Sequence, residues 1–164
     1  MIPLVSYGVS MKEVKNLADQ GFFFFKIKIG ADPDRDGNPE KMLAWDKERI
    51  WRIHQTLKDI KTPETESGRI LYYLDANGRY DHLERIKELL DYAGEIGMLE
   101  RIVVLEEPFA EENTCDVRGL PVMVAADESA HSPEDVKKRI ALGYRAIALK
   151  PIAKTLTVTF RMIE

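Results

Sequence analysis

Short apolar runs rich in β-branched and aromatic residues recur along the chain, separated by longer segments with polar starts. Six runs are predicted to be strands: residues 4–9, 22–29, 70–74, 101–105, 122–126 and 144–149. Helices are predicted over residues 11–20, 39–60, 82–96 and 133–142, and a further one begins near Leu156. Glycine ends three of these helices directly before a strand. This alternation is typical of an α/β fold with a parallel sheet.

Polar residues mark the predicted helix starts. Ser10 and Glu13 form a capping-box pattern, and Asp81 is predicted to cap the third helix. Asn38-Pro39 and Ser132-Pro133 place proline at the first helical position, which needs no N–H donor.

Carboxylates follow three consecutive predicted strands. Asp75 ends the third strand, Glu106 ends the fourth and Asp127 follows the fifth. The carboxyl ends of neighbouring parallel strands lie at the same edge of a sheet. These acids would therefore form one negatively charged cluster, which is predicted to bind a cation. Three hard oxygen ligands, completed by substrate oxygens and water, suit octahedral Mg²⁺.

Lysines accompany these acids. Because side chains alternate along a strand, Lys26 and Lys28 share one face of the second strand. Lys150 follows the sixth strand, on the same face as the small residues Ala146 and Ala148. Lysines on a buried strand are costly unless that face lines a site, and a neutral lysine could remove a proton next to a carboxylate.

Each of these features alone has an ordinary explanation. A single acid after a strand is usually a turn former or a helix cap, and a Lys-x-Lys pair is usually a solvated strand face. The ordered set of strand-end lysines and acids is much harder to obtain by chance. The three histidines show no metal-ligand spacing, so surface or cap roles are expected for His54, His82 and His131.

Two architectures fit the alternation, a doubly wound sheet and a (β/α) barrel. Acids that converge from consecutive strand ends favour the carboxyl-terminal face of a barrel. A doubly wound fold would more often show a glycine-rich phosphate turn after its first strand, and Gly8-Val9-Ser10 is not such a turn.

Composition narrows the classes of partner and compartment. The 164 residues suit one domain, and 45% hydrophobic content can bury a core. A net charge of −4 argues against nucleic acid as the main partner. One cysteine, Cys115, and a start without a signal-peptide pattern favour a cytoplasmic location. No stretch is long and apolar enough to predict a membrane span.

Five stretches together resemble the enolase superfamily, specifically its mandelate racemase/muconate-lactonising enzyme family and the branch that includes dipeptide epimerases. They are Lys26-Ile27-Lys28-Ile29-Gly30, Leu74-Asp75-Ala76-Asn77-Gly78, Leu105-Glu106-Glu107-Pro108, Ala126-Asp127-Glu128-Ser129 and Ala148-Leu149-Lys150-Pro151. The resemblance covers nearly the whole chain and implies a (β/α)8 TIM-type barrel.

The resemblance also implies roles for these residues. Asp75, Glu106 and Asp127 would bind Mg²⁺, and Glu106 rather than Glu107 follows the family pattern. Lys28 and Lys150 would be bases on opposite faces of a small carboxylate substrate, with Lys26 assisting Lys28. The reaction would remove a proton α to the carboxylate through an enediolate, as in a racemase, epimerase or cycloisomerase.

The chain departs from the family in its extent. Members carry an α+β capping domain before the barrel and two further strands after the sixth, and both are expected to be absent from residues 1–164. A complete barrel takes about 250 residues, so a partial barrel of about six strands is expected. Two hypotheses follow: the metal-binding core of an isomerase, or a catalytically incompetent fragment stabilised by self-association. In either case unpaired strand edges favour a homo-oligomer.

Overall fold

The structure is a computed structural model that describes residues 2–150 and 156–163. Its strands are β1 (Leu4–Val5), β2 (Phe24–Lys28), β3 (Leu71–Asp75), β4 (Ile102–Glu106), β5 (Met123–Ala126) and β6 (Ala146–Ile147). Its α-helices are α1 (Met11–Asp19), α2 (Pro39–Leu57), α3 (Leu83–Glu95), α4 (Pro133–Ala141) and α5 (Leu156–Ile163). The elements follow the predicted order, and the first and last strands are shorter than predicted.

All six strands lie side by side in chain order and pair in parallel. A doubly wound sheet reverses its strand order at a switch point, so the uninterrupted order excludes that alternative. Within the described residues β1 pairs only with β2 and β6 only with β5, so the sheet does not close. The expectation of an incomplete barrel is confirmed.

One face of the sheet is apolar and covered by helices. The register aligns five side chains across neighbouring strands, each no more than 2% exposed: Val5, Ile27, Leu74, Leu105 and Val124. They belong to one hydrophobic cluster with helical residues such as Ile50 and Ile53 of α2 and Ile86 of α3. Burial of this face holds the helices on one side and leaves the other side of the strands for polar residues.

The helix starts agree with the sequence in three cases and disagree in one. Ser10 forms both bonds of its capping box with Glu13, and the Asn38 and Ser132 side chains accept backbone N–H groups at the starts of α2 and α4. The predicted cap at Asp81 is wrong. Its carboxylate accepts the His82 N–H at 2.9 Å instead, and α3 begins after His82 without a side-chain cap.

A surface or cap role for His54 is also wrong. The side chain is 2% exposed, and its Nδ1 lies 3.1 Å from the Tyr72 hydroxyl. Burial, helped by the positive charge of Arg101, lowers the His54 pKa to about 4, so the ring is neutral at pH 7. This histidine is therefore a core residue of α2.

No helix in the described part of the chain combines the length and the apolar character that crossing a membrane requires.

Candidate active site

The strand register brings the predicted charged residues to one edge of the polar face. Lys28 pairs with Asp75, and Asp75 with Glu106, across three adjacent strands. Lys26 lies two residues before Lys28 on the same face, because β2 alternates half-buried and buried residues. The predicted sharing of one strand face by Lys26 and Lys28 is therefore confirmed, and the register places Asp75 and Glu106 on that same face of the sheet.

Lys26 lies between the first two carboxylates. Its Nζ is 2.8 Å from Asp75 Oδ2 and also contacts Glu106 Oε2. It lies over the Tyr73 ring, 4.9 Å from the centroid. Both acids are 1% exposed, so this ammonium neutralises charge that water cannot reach.

Burial and mutual contact shift the pKa values of Glu106, Asp75 and Lys26. Burial raises the pKa of Glu106, and the Asp75 carboxylate beside it raises it further, against the effect of Lys26. Burial works against ionisation of Asp75 too, but hydrogen bonds from Glu106, Lys26 and Lys28 outweigh it and lower its pKa. For Lys26 the same carboxylates outweigh burial and raise the pKa, so the ammonium form is strongly favoured.

Asp127 is held in a separate pair. Its side chain is 2% exposed, and its Oδ2 contacts the Lys150 ammonium. Lys150 Nζ also lies 3.8 Å from Glu128 Oε1. Burial tends to lower the Lys150 pKa, but the hydrogen bond and charge of Asp127 raise it overall. In the described ranges, 2–150 and 156–163, no three His, Cys, Asp or Glu side chains form a group that could hold a metal ion.

A polar chain connects the two predicted bases. Lys28 Nζ lies 2.6 Å from Asp75 Oδ2 and also donates to Asn77 Oδ1. Asn77 Nδ2 donates to Glu128 Oε1 at 3.0 Å, and Glu128 reaches Lys150 as described above. The asparagine therefore lies between the β2 side and the β6 side of the site.

Sequence reasoning gave no role to Asn77, Glu128 or Glu107. Asn77 has a φ of 46° and Glu107 a φ of 39°, in the left-handed backbone region that residues other than glycine rarely adopt. Glu107 is 1% exposed, and its Oε2 accepts the backbone N–H groups of Asp127 at 2.5 Å and Ser129 at 3.1 Å. Glu106 thus faces Asp75, while Glu107 supports the loop that carries Asp127. The available signals in the sequence were two short motifs, Asp-x-Asn-Gly at the end of β3 and Glu-Glu-Pro at the end of β4.

A family model described as enolase C-terminal domain-like matches residues 10–155, most of the chain. Among curated protein sequences no relative matches.

Several solved structures share the fold. A mandelate racemase/muconate lactonizing enzyme from Roseiflexus sp. aligns with a TM-score of 0.75 at 22% identity, over 99% of this chain and 43% of its own. The muconate lactonizing enzyme of Klebsiella pneumoniae aligns with a TM-score of 0.73 at 18% identity, over 99% and 41%. O-succinylbenzoate synthase from Thermosynechococcus elongatus, complexed with Mg in its active site, aligns with a TM-score of 0.57 at 19% identity, over 88% and 40%. The chain therefore spans about two-fifths of the length of these proteins.

Proposed function

We propose a function from one premise: the chain belongs to the family of enolase C-terminal domain-like proteins. It carries the metal-binding and base-bearing part of an isomerase that removes a proton α to a carboxylate with the help of Mg²⁺. The observation that supports this most is the row of Lys28, Asp75 and Glu106, set side by side by parallel strand register. Racemisation or epimerisation is the preferred reaction, since lysines approach the site from both β2 and β6.

The chemistry of the donor set suits a divalent cation, although among the described residues the three carboxylates are not gathered into one metal-binding group. Asp75, Glu106 and Asp127 supply hard carboxylate oxygens, as Mg²⁺ requires. Glu106 Oε2 and Asp127 Oδ2 are buried and have no hydrogen-bond partner of good geometry among the described residues, and each is contacted by a lysine ammonium. Buried carboxylate oxygens that already attract cations are the expected ligands. When bound, Mg²⁺ would hold the substrate carboxylate and stabilise the charge that develops as the α-proton leaves.

The lysines would carry the proton. Lys28 from β2 and Lys150 after β6 would lie on opposite faces of the α-carbon, so that one removes the proton and the other returns it. Lys26 lies beneath Lys28 on the same strand and balances the charge of Asp75 and Glu106. The substrate class proposed is a small carboxylate with a stereogenic α-carbon.

Metal binding is tested by thermal unfolding of the full chain with increasing Mg²⁺. At 100 times the dissociation constant a ligand of the folded state stabilises it by about 2.7 kcal/mol, roughly 5–10 °C in melting temperature for a chain of this size. Asp75→Asn and Asp127→Asn should each remove that shift. Asp91→Asn, an exposed acid of α3, should retain it. An equal shift in all four proteins would contradict the assignment.

The two bases are tested by α-proton exchange in D₂O, using separate enantiomers of N-acetylated amino acids and of 2-hydroxy acids. Lys150→Ala should abolish interconversion but leave exchange of one enantiomer, which Lys28 still serves. Lys28→Ala should leave exchange of the opposite enantiomer. Equal loss for both enantiomers in either variant would favour a one-base cycloisomerase instead.

A second candidate function is supported by the sheet edges. Within residues 2–150 and 156–163 the sheet stays open at β1 and β6, and the polar face exposes apolar side chains such as Leu4 at 50% and Met123 at 41%. Open edges invite strand pairing with another chain. We propose that the chain self-associates through them, with or without activity. Sedimentation as a monomer over a hundredfold range of concentration would exclude this.

A further inference from the structure

Buried charges of α2 lie outside the row of site residues. Asp46 is 0% exposed and Arg49, one turn later, is 6% exposed. Among the described residues, neither side chain is hydrogen-bonded to a side chain of the row of acids and lysines. Buried charges of this kind are costly unless they are fully bonded, so their partners show what they do.

Arg49 binds backbone carbonyls at the ends of two strands. Its Nε donates to Lys28 O at 3.1 Å, and its Nη2 donates to Val5 O at 2.8 Å and Ser6 O at 2.6 Å. One guanidinium thereby ties the end of β1 to the end of β2. The bond to Lys28 O acts on the residue that carries the proposed base.

Asp46 holds the next part of the same segment. Its Oδ2 accepts the Gly30 N–H and the Tyr80 hydroxyl, both at 2.6 Å. Gly30 has φ of +80°, and a Cβ there would lie 2.9 Å from Arg79 Cβ, so the position requires glycine. The turn after Lys28 is thus fixed by the hydrogen bond from the Gly30 N–H to the Asp46 carboxylate of α2.

The remaining backbone groups of this segment are bonded as well. Ile29 N donates to Asp75 O at 2.9 Å, and Ile29 O accepts the Tyr7 hydroxyl at 2.9 Å. Gly30 O accepts Arg79 Nη1 at 3.2 Å. From the Lys28 carbonyl to the Gly30 carbonyl, every backbone N–H and C=O therefore has a partner outside the segment, three of them from Tyr7, Asp46 and Arg49.

We infer that Asp46 and Arg49 of α2, with Tyr7, are positioning residues that hold the Lys28-Ile29-Gly30 segment so that the Lys28 ammonium stays at Asp75 and Asn77. The inference rests on the proposed role of Lys28 as a base. Lys150, on the far side of the sheet, has no contact with this set and provides an internal reference. Removing the hydrogen bonds of these positioning residues should therefore change the reactivity of the Lys28 amine and leave that of Lys150 unchanged.

The test measures the acetylation rate of individual lysines in the folded full chain with a sulfo-N-hydroxysuccinimide ester, read by peptide mass spectrometry. Arg49→Met and Tyr7→Phe should raise the ratio of Lys28 to Lys150 labelling roughly 2- to 10-fold, the range expected from one lost net hydrogen bond. Arg52→Met, an exposed arginine of the same helix, should leave the ratio unchanged. Tyr7→Phe removes one hydroxyl from a half-buried ring, so it provides the answer if Arg49→Met does not fold.

A conservative rescue separates positioning from general stability. Asp46→Asn keeps an oxygen acceptor for the Gly30 N–H and should give the wild-type ratio of Lys28 to Lys150 labelling. Asp46→Leu removes the acceptor and should raise that ratio. Equal increases at Lys28 and Lys150, or no change in any variant, would overturn the inference.

Exchange in D₂O then distinguishes this inference from the proposed function. If wild type exchanges neither enantiomer of the N-acetylated amino acids or 2-hydroxy acids, the proposed function fails, while the labelling ratio still decides the positioning role. If wild type is active, Arg49→Met should lose exchange selectively for the enantiomer that Lys28 serves. Equal loss for both would contradict positioning through Lys28.

Discussion

Asp46 should make the stability of the chain fall as pH rises through the weakly acidic range. The carboxyl group is fully buried, and its Oδ1 has no hydrogen-bond partner in the part of the chain that the structure describes. Burial raises its pKa from 3.8 to about 6, although Tyr80, the Gly30 N–H and the Arg49 charge act in the opposite direction. The substitution Asp46→Asn keeps a hydrogen-bond acceptor at this position and removes the titrating group.

The direction in which the free energy of unfolding changes with pH follows from the protons bound by each state. Between pH 3.8 and 6 the folded chain keeps the Asp46 proton while the unfolded chain releases it, so the free energy of unfolding falls as pH rises. The stabilising contribution is complete below the unfolded pKa and is lost as pH rises through the folded one. A difference of about 2 pKa units corresponds to about 3 kcal/mol. Asp46→Asn should therefore gain up to about 3 kcal/mol relative to wild type between pH 4 and pH 7.

The assay is urea unfolding of both proteins at half-unit steps from pH 4 to pH 7.5. Any constant cost of the amide shifts the difference between the two curves equally at every pH, so the slope of that difference carries the test. Glu48→Gln, an exposed acid on the same helix, serves as the control and should follow wild type. A difference between Asp46→Asn and wild type that does not change with pH would refute the argument.

Three further substitutions test packing, backbone strain and capping by chemical denaturation. Leu74→Ala removes a fully buried residue of the apolar row and should cost about 2–5 kcal/mol; a smaller loss would mean that the site collapses around the gap. Gly143→Ala should cost at least about 1–3 kcal/mol, because φ is +98° and the new Cβ would lie 2.5 Å from Arg118 Cγ. Ser10→Ala should cost about 1 kcal/mol through the capping box with Glu13, and wild-type stability would deny the cap any role.

The polar face of β2 could be predicted from local pattern alone. Period-two alternation places Phe25 and Ile27 against the helices and Lys26 and Lys28 on the opposite side, whatever the rest of the chain does. The same reasoning located Asp75 and Glu106 at strand ends. The capping box at Ser10 followed equally from residues three positions apart.

Partners distant in sequence were beyond such reasoning. No periodicity indicates that Arg49 reaches the carbonyls of Val5 and Ser6, or that His54 is buried against Tyr72. On a helix these residues read as ordinary polar positions, and their bonds depend on where α2 rests on the sheet. The predicted Asp81 cap was wrong for a different, local reason: its carboxylate accepts the N–H of the adjacent His82 instead of one from the first turn of α3.

The sequence by itself determined the order of the strands, the shared face of Lys26 and Lys28, and the family to which the chain is similar, because these follow from side-chain alternation and from short motifs. Tertiary structure alone decided which charges meet. Parallel register set Lys26 between Asp75 and Glu106, and the end of the sheet brought Lys150 to Asp127. Such pairings depend on strand order and packing across distances of up to 80 residues, over which local sequence carries no geometric information.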